Sequence, residues 1–168
     1  MLNRMNDHLF ALLNVEGTKS HIADLGCGVG ATMKYGVNKY PKLAITGFSI
    51  SDFQVTFGNQ FLNSERASIL NRDYRNTKCR EHSFDGAMAV ESFCHSGCSL
   101  EALKETYRIL KPDATFVIAD AFSKKVKDEM NPLSKKVYEG LCESWSLEKL
   151  GNIHEVEKQL KELGFKEV

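Results

Sequence analysis

Apolar residues recur along this chain in two periods, and the switches between them predict its architecture. Leu2, Met5, Leu9, Leu12 and Leu13 fall at helical spacing, so residues 2–14 are expected as an amphipathic helix covering the sheet ahead of the first strand. Short apolar or β-branched runs then alternate with helical segments. The strands are expected at 20–25, 43–50, within 67–76 (ending near Asp73), at 84–92 and at 115–120. Between them, a helix over 31–39 stops before Pro41. A second runs from Ser51-Asp52-Phe53-Gln54, which has the capping-box form, to about Ser64. A third occupies 99–110, from a serine cap to Lys111-Pro112.

Five alternations of strand and helix specify an α/β chain: a doubly wound, mostly parallel sheet with right-handed crossovers and helices on both faces. In such sheets ligands bind outside the carboxyl ends of the strands, at the switch in strand order. Asp24, Ser49, Asp73, Glu91 and Asp120 stand at those ends and are expected to face one crevice. Beyond them, 122–136 reads as basic and irregular, 137–145 as helical, and 153–163 as an amphipathic helix ended by Gly164. The final FKEV reads as the start of another strand.

Composition narrows the classes. With 168 residues and 22 basic against 22 acidic side chains, one domain is expected, and no broad basic surface exists to hold nucleic acid, although Lys124, Lys125 and Lys127 form a local patch. No apolar run approaches the roughly 20 residues of a membrane span, and the apolar segment Leu9–Leu13 lacks a signal peptide's cleavage pattern. Five cysteines, an odd number, fit a reducing compartment, so a cytoplasmic protein is expected. Cys94, His95 and Cys98 lack the remaining ligands of any usual metal spacing, and no metal is expected.

The chemistry concentrates in HIADLGCGVGAT, residues 21–32, a buried strand opening into Gly26, Gly28 and Gly30 ahead of a helix N-terminus. Glycines there allow positive φ and a close approach of backbone to ligand, and the helix start offers free N–H groups. Gly26 to Ala31 also satisfies the loose dinucleotide pattern, which would make the chain a nucleotide-dependent oxidoreductase. That site calls for an acid at the end of the second strand, where this chain has Phe48-Ser49-Ile50 with Asp52 only nearby. Asp24, two residues before the first glycine, would repel a diphosphate and welcome an ammonium. A ligand with an ammonium, a carboxylate and an adenosine fits better, and S-adenosylmethionine has all three.

DLGCGVG is similar to the first motif of the class I S-adenosylmethionine-dependent methyltransferases. GFSISDFQ, RDYR, FDGAMAVESFCHS and EALKETYRILKPDATFVIAD follow it in that superfamily's order and spacing. The set most resembles the sterol and tocopherol C-methyltransferases and the cyclopropane-fatty-acid synthases, strongly over residues 20–122. The resemblance implies a Rossmann-like sheet of order 3-2-1-4-5 and one cofactor-binding domain over 1–168. Within it, 1–19 carry the N-terminal helix, 20–121 the cofactor core and 122–168 the acceptor-side helices.

It also implies roles at matching positions. Asp24 with the backbone of Gly26, Cys27, Gly28 and Gly30 would hold the methionine moiety. Ser49, Ile50 and Gln54 would lie along ribose and adenine. Asp73 would accept from the adenine amino group with Tyr74 beside the ring, and the backbone from Ala89 to Glu91 would line the sulfonium. Plainer readings stand beside these: Gln54 as the capping partner of Ser51, Asp73 as a loop cap, Cys27 as a small residue whose N–H matters.

The expected reaction is in-line displacement on the methyl group, aided mainly by alignment and exclusion of water. A phenol or amine acceptor calls for a base, which His95 offers, and an alkene acceptor becomes a carbocation, for which Glu91, Phe93, Tyr138 and Trp145 offer a carboxylate and aromatic faces. Glu91 and His95, which resemble the Glu and His of the sterol-type motif, are the candidate catalytic pair, or else side chains that only shape the cofactor pocket, with lipid, isoprenoid, phenol or amine molecules as acceptors. Two departures from the family stand out. Lys111-Pro112-Asp113-Ala114 replaces its proline and paired glycines, and Val168 comes before its last strands. The sheet is thus expected to end at an open edge that a homodimer mate or another partner covers. A catalytically weak cofactor-binding fragment acting through that edge is the alternative function.

Overall fold

The computed structural model describes residues 2–168, so Met1 lies outside the described residues. Helix α1 (Leu2–Leu12) precedes strand β1 (Ser20–Leu25), helix α2 (Ala31–Lys39), strand β2 (Leu43–Ser49), helix α3 (Asp52–Leu62) and strand β3 (Ala67–Asn71). Strand β4 (Phe84–Val90), helix α4 (Leu100–Ile109), strand β5 (Leu110–Ala119), helix α5 (Pro132–Ser144) and helix α6 (Ile153–Leu163) complete the order. The five strands form one sheet, β3-β2-β1-β4-β5, parallel throughout. The α/β, doubly wound reading and its strand order therefore hold.

Alternate residues of each strand feed two apolar layers, as a sheet covered on both faces requires. Ile22, Ile45, Ile69 and Met88 pack with Leu9, Phe10 and Leu13 of α1 and with Met33 and Val37 of α2. Ala23, Leu25, Phe48, Ala87 and Ala89 pack on the other face with Leu103 and Ile109 of α4 and Val156 of α6. Asp24 shares the strand parity of Ile22, so its carboxylate lies on the α1–α2 face.

Local chemistry explains four departures from expectation. Strand β3 stops at Asn71 rather than near Asp73, because its partner β2 ends at Ser49, whose carbonyl takes the last rung from Arg72 N–H at 3.0 Å. Strand β5 begins at Leu110 rather than at 115. Phe84 pairs with Leu110 and Gly86 with Thr115, so Lys111–Ala114 bulge outward, with Asp113 in the left-handed region at φ 60°. Helix α5 begins at Pro132, inside the segment expected to be irregular. Asn131 caps it by accepting from Ser134 N–H at 2.8 Å, and proline fits the first helical position. Residues 165–168 form no strand, since Gly164 turns left-handed (φ 105°) and the Phe165 ring packs on Tyr107 and Phe116, with centroids at 5.2 and 6.1 Å. An open groove of about 910 Å³ runs along the free edge of β5, lined by Leu110, Phe116, Phe122, Val156, Leu160 and Phe165 among others.

The long connection from β3 to β4 is fastened to α4 by one buried carboxylate. Glu105 accepts from Thr77 N–H at 2.8 Å, from Thr77 Oγ1 at 2.5 Å and from the Arg108 guanidinium at 2.7 and 2.8 Å. Arg108 also donates to the Cys79 carbonyl at 2.8 Å. Burial alone would raise the Glu105 pKa, but the donors from Arg108 and Thr77 outweigh it and hold the acid below its ordinary value. Ionisation of Glu105 therefore adds stability above its unfolded pKa, and that stability is lost as pH falls through the lower folded value. Glu105→Ala is expected to cost about 2–3 kcal/mol in urea unfolding at pH 7. The difference from wild type should shrink as the unfolding is repeated at progressively lower pH.

Candidate functional site

The ends of β1, β2 and β4 converge because their register is fixed. Asp24 pairs with Gly47 on one side and Met88 on the other. The glycine turn is then pinned to β2, since Gly26 N–H and Cys27 N–H both donate to the Phe48 carbonyl, at 3.0 and 3.1 Å. Gly26, Gly28 and Gly30 have φ of 78°, 56° and 81°, and Gly30 serves as the left-handed N-cap of α2. Two of these glycines have opposite surroundings. A Cβ on Gly26 would stand 2.5 Å from Ser92 Cβ, whereas a Cβ on Gly28 would meet nothing within 4 Å. The backbone at Gly28 is thus open to a ligand beside a helix N-terminus.

Asp24 is only 3 % exposed, and no described donor reaches its carboxylate, so burial pushes its pKa up to about 7. An unpartnered buried acid next to an open glycine backbone is the electrostatic signature of the crevice. Burial, and then the neighbouring Asp24 charge, also push the Cys27 thiol up. The thiol sits against the Gly47 backbone, where an added Cβ would be 2.5 Å from Sγ. Cys27 is a small packing residue in a strand–turn contact, not a thiolate nucleophile.

At the end of β2, Ser49 Oγ donates to Gln54 Oε1 at 2.7 Å and accepts from Ser51 N–H at 3.1 Å. Ser51 caps α3 by accepting from Gln54 N–H at 3.3 Å. The reciprocal capping box is therefore not formed: the Gln54 side chain turns to Ser49, into the crevice rather than back to Ser51. Ile50, next in sequence, is 76 % exposed at the same rim. On the loop after β3, Asp73 is drawn aside. Its carboxylate accepts from Arg75 N–H at 2.8 Å and from the Arg75 guanidinium at 2.6–3.1 Å, which holds its pKa below the ordinary value. Tyr74 points inward, its hydroxyl donating to the Ser92 carbonyl at 2.9 Å, and burial raises its pKa to about 12.

Ser92 is the residue that sequence reasoning passed over. Its hydroxyl donates to the Leu25 carbonyl while its own carbonyl receives Tyr74, so it ties the ends of β1, β3 and β4 together above Gly26. Only its small size, between Glu91 and Phe93, hinted at this. Arg75, two residues after Asp73, holds that carboxylate by its guanidinium. Asp120 fastens the next turn, accepting from Cys94 N–H at 3.0 Å and Ala121 N–H at 2.8 Å. Among the described residues no group of three or more His, Cys, Asp or Glu could hold a metal ion.

Ala89 is fully buried, and Glu91, exposed, adopts φ 48° with its N–H donating to the Ala119 carbonyl at 2.8 Å. That left-handed geometry turns the Glu91 side chain out of the β4 register at the crevice rim. His95 is exposed on the short 3-10 turn Phe93–Ser96. Two of the aromatic faces expected beside an acceptor are committed elsewhere. Phe93 is 1 % exposed, packed against Phe122, and the Tyr138 hydroxyl is taken by Leu150 N–H at 3.0 Å. Trp145, 50 % exposed, is not so committed.

A family model described as a methyltransferase domain matches residues 23–118. Methyltransferase phqN of Penicillium fellutanum is 27 % identical over 148 residues, 86 % of this chain and 45 % of the relative. Sterol 24-C-methyltransferase of Kluyveromyces lactis is 25 % identical over 148 residues, 86 % of this chain and 40 % of the relative. The chain thus spans less than half the length of these curated relatives. A solved geranyl diphosphate methyltransferase, in complex with SAM, superposes with a TM-score of 0.82 at 14 % identity, over 95 % of this chain and 63 % of that one, a likeness of fold.

The two glycines give a direct test of the turn. Gly28→Ala is expected to cost about 1–2 kcal/mol, the strain of a left-handed alanine in open space. Gly26→Ala adds a clash with Ser92 and should cost clearly more. Urea midpoints of the two variants check this, and equal losses would mean that Ser92 does not pack on the turn as described.

Proposed function

The chain belongs to the methyltransferase domain family, and from that premise we propose that it binds S-adenosylmethionine and transfers its methyl group to a small-molecule acceptor. The observation that carries this reading is the unpartnered, buried Asp24 carboxylate beside the open backbone of Gly28. An ammonium would neutralise that acid in a low-dielectric site, and the free N–H groups of the turn would receive a carboxylate. A dinucleotide's diphosphate would instead meet Asp24 as a like charge, which disfavours the oxidoreductase reading.

Residues at the neighbouring strand ends suit the rest of the ligand. Ser49 and Gln54, already in mutual contact, would reach ribose hydroxyls, and Ile50 would offer an apolar face to adenine. Tyr74 would flank the ring. Asp73 would receive the adenine amino group only by sharing or releasing Arg75, so its contribution is weaker than its position suggests. The backbone from Ala89 to Glu91 would line the sulfonium. Bound in this place, S-adenosylmethionine supplies an electrophilic methyl group. The chain's part is to align the acceptor and exclude water, with the segment 122–152 as the acceptor side.

Glu91 and His95, on successive turns at the rim, are the proposed catalytic residues. His95 would take a proton from a phenol or amine, while Glu91 and the Trp145 face would stabilise positive charge on an alkene-derived acceptor. Lipid and isoprenoid carbon acceptors rank slightly ahead of phenols and amines. The whole of 1–168 acts as one cofactor-binding domain in this proposal.

The pH dependence follows from Asp24. Its folded pKa is raised, so ionisation between the unfolded value near 4 and about 7 disfavours the ligand-free fold, and stability falls across that window as pH rises. Asp24→Asn is therefore expected to raise the stability of the ligand-free chain at pH 8 by up to about 4 kcal/mol while removing most of its cofactor affinity. Calorimetry should find that wild type binds S-adenosylmethionine and not NAD, with affinity falling about tenfold per pH unit below pH 7. The reading fails if NAD binds and the sulfonium cofactor does not. A methyl-transfer assay over a metabolite panel tests turnover: Glu91→Gln and His95→Ala should retain binding while one or both lose about 100-fold in rate. Tight binding with no product from any acceptor would favour the alternative, a cofactor-binding module.

A further inference from the structure

Helix α3 carries a feature that no cofactor contact explains. Phe53, Phe57 and Phe61, four residues apart, stack along its outer face with ring centroids 5.7 and 6.4 Å apart and interplanar angles of 14° and 6°. They are 70, 46 and 41 % exposed. Three aligned phenyl rings in water form a contiguous apolar strip of a kind that marks an interaction surface. The charge around the strip is sparse and polarised. Asp52, beside Phe53, is the only charged residue of α3. Lys34 stands at the other end, its Nζ 5.0 Å from the Phe61 centroid and donating to the Phe61 and Leu62 carbonyls at 2.6 and 3.0 Å.

We propose that this ladder is an isologous interface, in which α3 packs antiparallel against α3 of a second copy of this chain. The strip is self-complementary under a twofold axis through Phe57. Phe57 would meet its own counterpart, and Phe53 would meet Phe61 of the other copy. The same rotation brings Lys34 of one copy to Asp52 of the other at both ends, and it sets the two helix dipoles antiparallel. An anionic lipid surface, the other occupant an amphipathic helix invites, would call for basic residues along α3, and it has none. The interface rests on a few rings rather than a broad face, so a weak, concentration-dependent dimer is expected.

Sedimentation velocity of the full chain between about 5 and 200 μM should show a monomer–dimer equilibrium whose dissociation constant rises at least tenfold in Phe57→Glu, with far-ultraviolet circular dichroism confirming the fold of the variant. Register is read by crosslinking. Under mild oxidation Phe57→Cys should form a disulfide dimer by itself. Phe53→Cys should form one only when mixed with Phe61→Cys, and wild type should form none. A chain that stays monomeric throughout, a dimer that survives Phe57→Glu, or self-crosslinking of Phe53→Cys as fast as Phe57→Cys would each overturn the proposal. So would a monomeric chain that floats with phosphatidylcholine–phosphatidylserine vesicles and ceases to do so in Phe57→Glu, since that would give the ladder to a lipid surface.

Discussion

Burying one carboxylate without a partner is the constraint around which this site is arranged. Asp24 lies in the central strand of the sheet, flanked by β2 and β4, and neither neighbour offers it a donor. An isolated charge there costs several kcal/mol relative to water, so in the ligand-free chain the acid gives up its charge near neutrality instead. The fold tolerates this because the strand around it is otherwise apolar and paired on both sides. What makes the arrangement useful is its reversal: a cation brought to Asp24 regains the lost charge interaction where the surrounding strands keep the dielectric low. The residue is a stability defect and a recognition element for the same physical reason.

Such a defect discriminates only if its surroundings hold still. The turn after Asp24 is fixed by two N–H groups on the Phe48 carbonyl and by the contact of Gly26 with Ser92, while Ser92 joins Leu25 and Tyr74. Asp120 and the strained Glu91 fasten the opposite rim. Each device spends polar groups on backbone rather than on open crevice, so few side chains are left unpaired for a ligand. Gly28 and Ile50 remain open, and Asp24 remains unsatisfied. The difference between Gly26 and Gly28 makes the division concrete, because one lacks a side chain so that the protein can close on it and the other so that a ligand can.

How much of this was legible in the sequence depended on range. Helices α2 and α6 and strand β1 were read to the residue because their signals are local: a glycine turn, a Gly164 cap and an apolar run. Strand order was legible through the resemblance carried by the motif set that begins at Asp24. The start of α5 is equally local, in the Asn131 cap and Pro132, but it falls inside the basic segment 122–136 expected to be irregular. The misjudged pieces depend on partners distant in sequence. Leu110 joins β5 because Phe84 is there to pair with it, Phe165 leaves the sheet because Tyr107 and Phe116 offer it a face, and Ser92 matters because Gly26 and Tyr74 meet it. No spacing rule reports such meetings.

Two of the surfaces that the described residues leave exposed differ in their chemistry. The free edge of β5 presents backbone N–H and C=O groups beside a groove whose wall is α6, so a strand would satisfy it, with side chains contributing little to selectivity. The α3 face presents rings with its backbone already satisfied, so only side chains of matching shape would cover it. An edge of the first kind pairs with many strands, and its selectivity must come from the groove beside it, where the bulge at Lys111–Ala114 interrupts one end and Phe165 closes another part. A ladder of the second kind is selective by spacing, since three rings four residues apart fit best against the same three in reverse. Of the two, the ladder is the surface on which a copy of this chain is distinguished from any other strand-bearing protein.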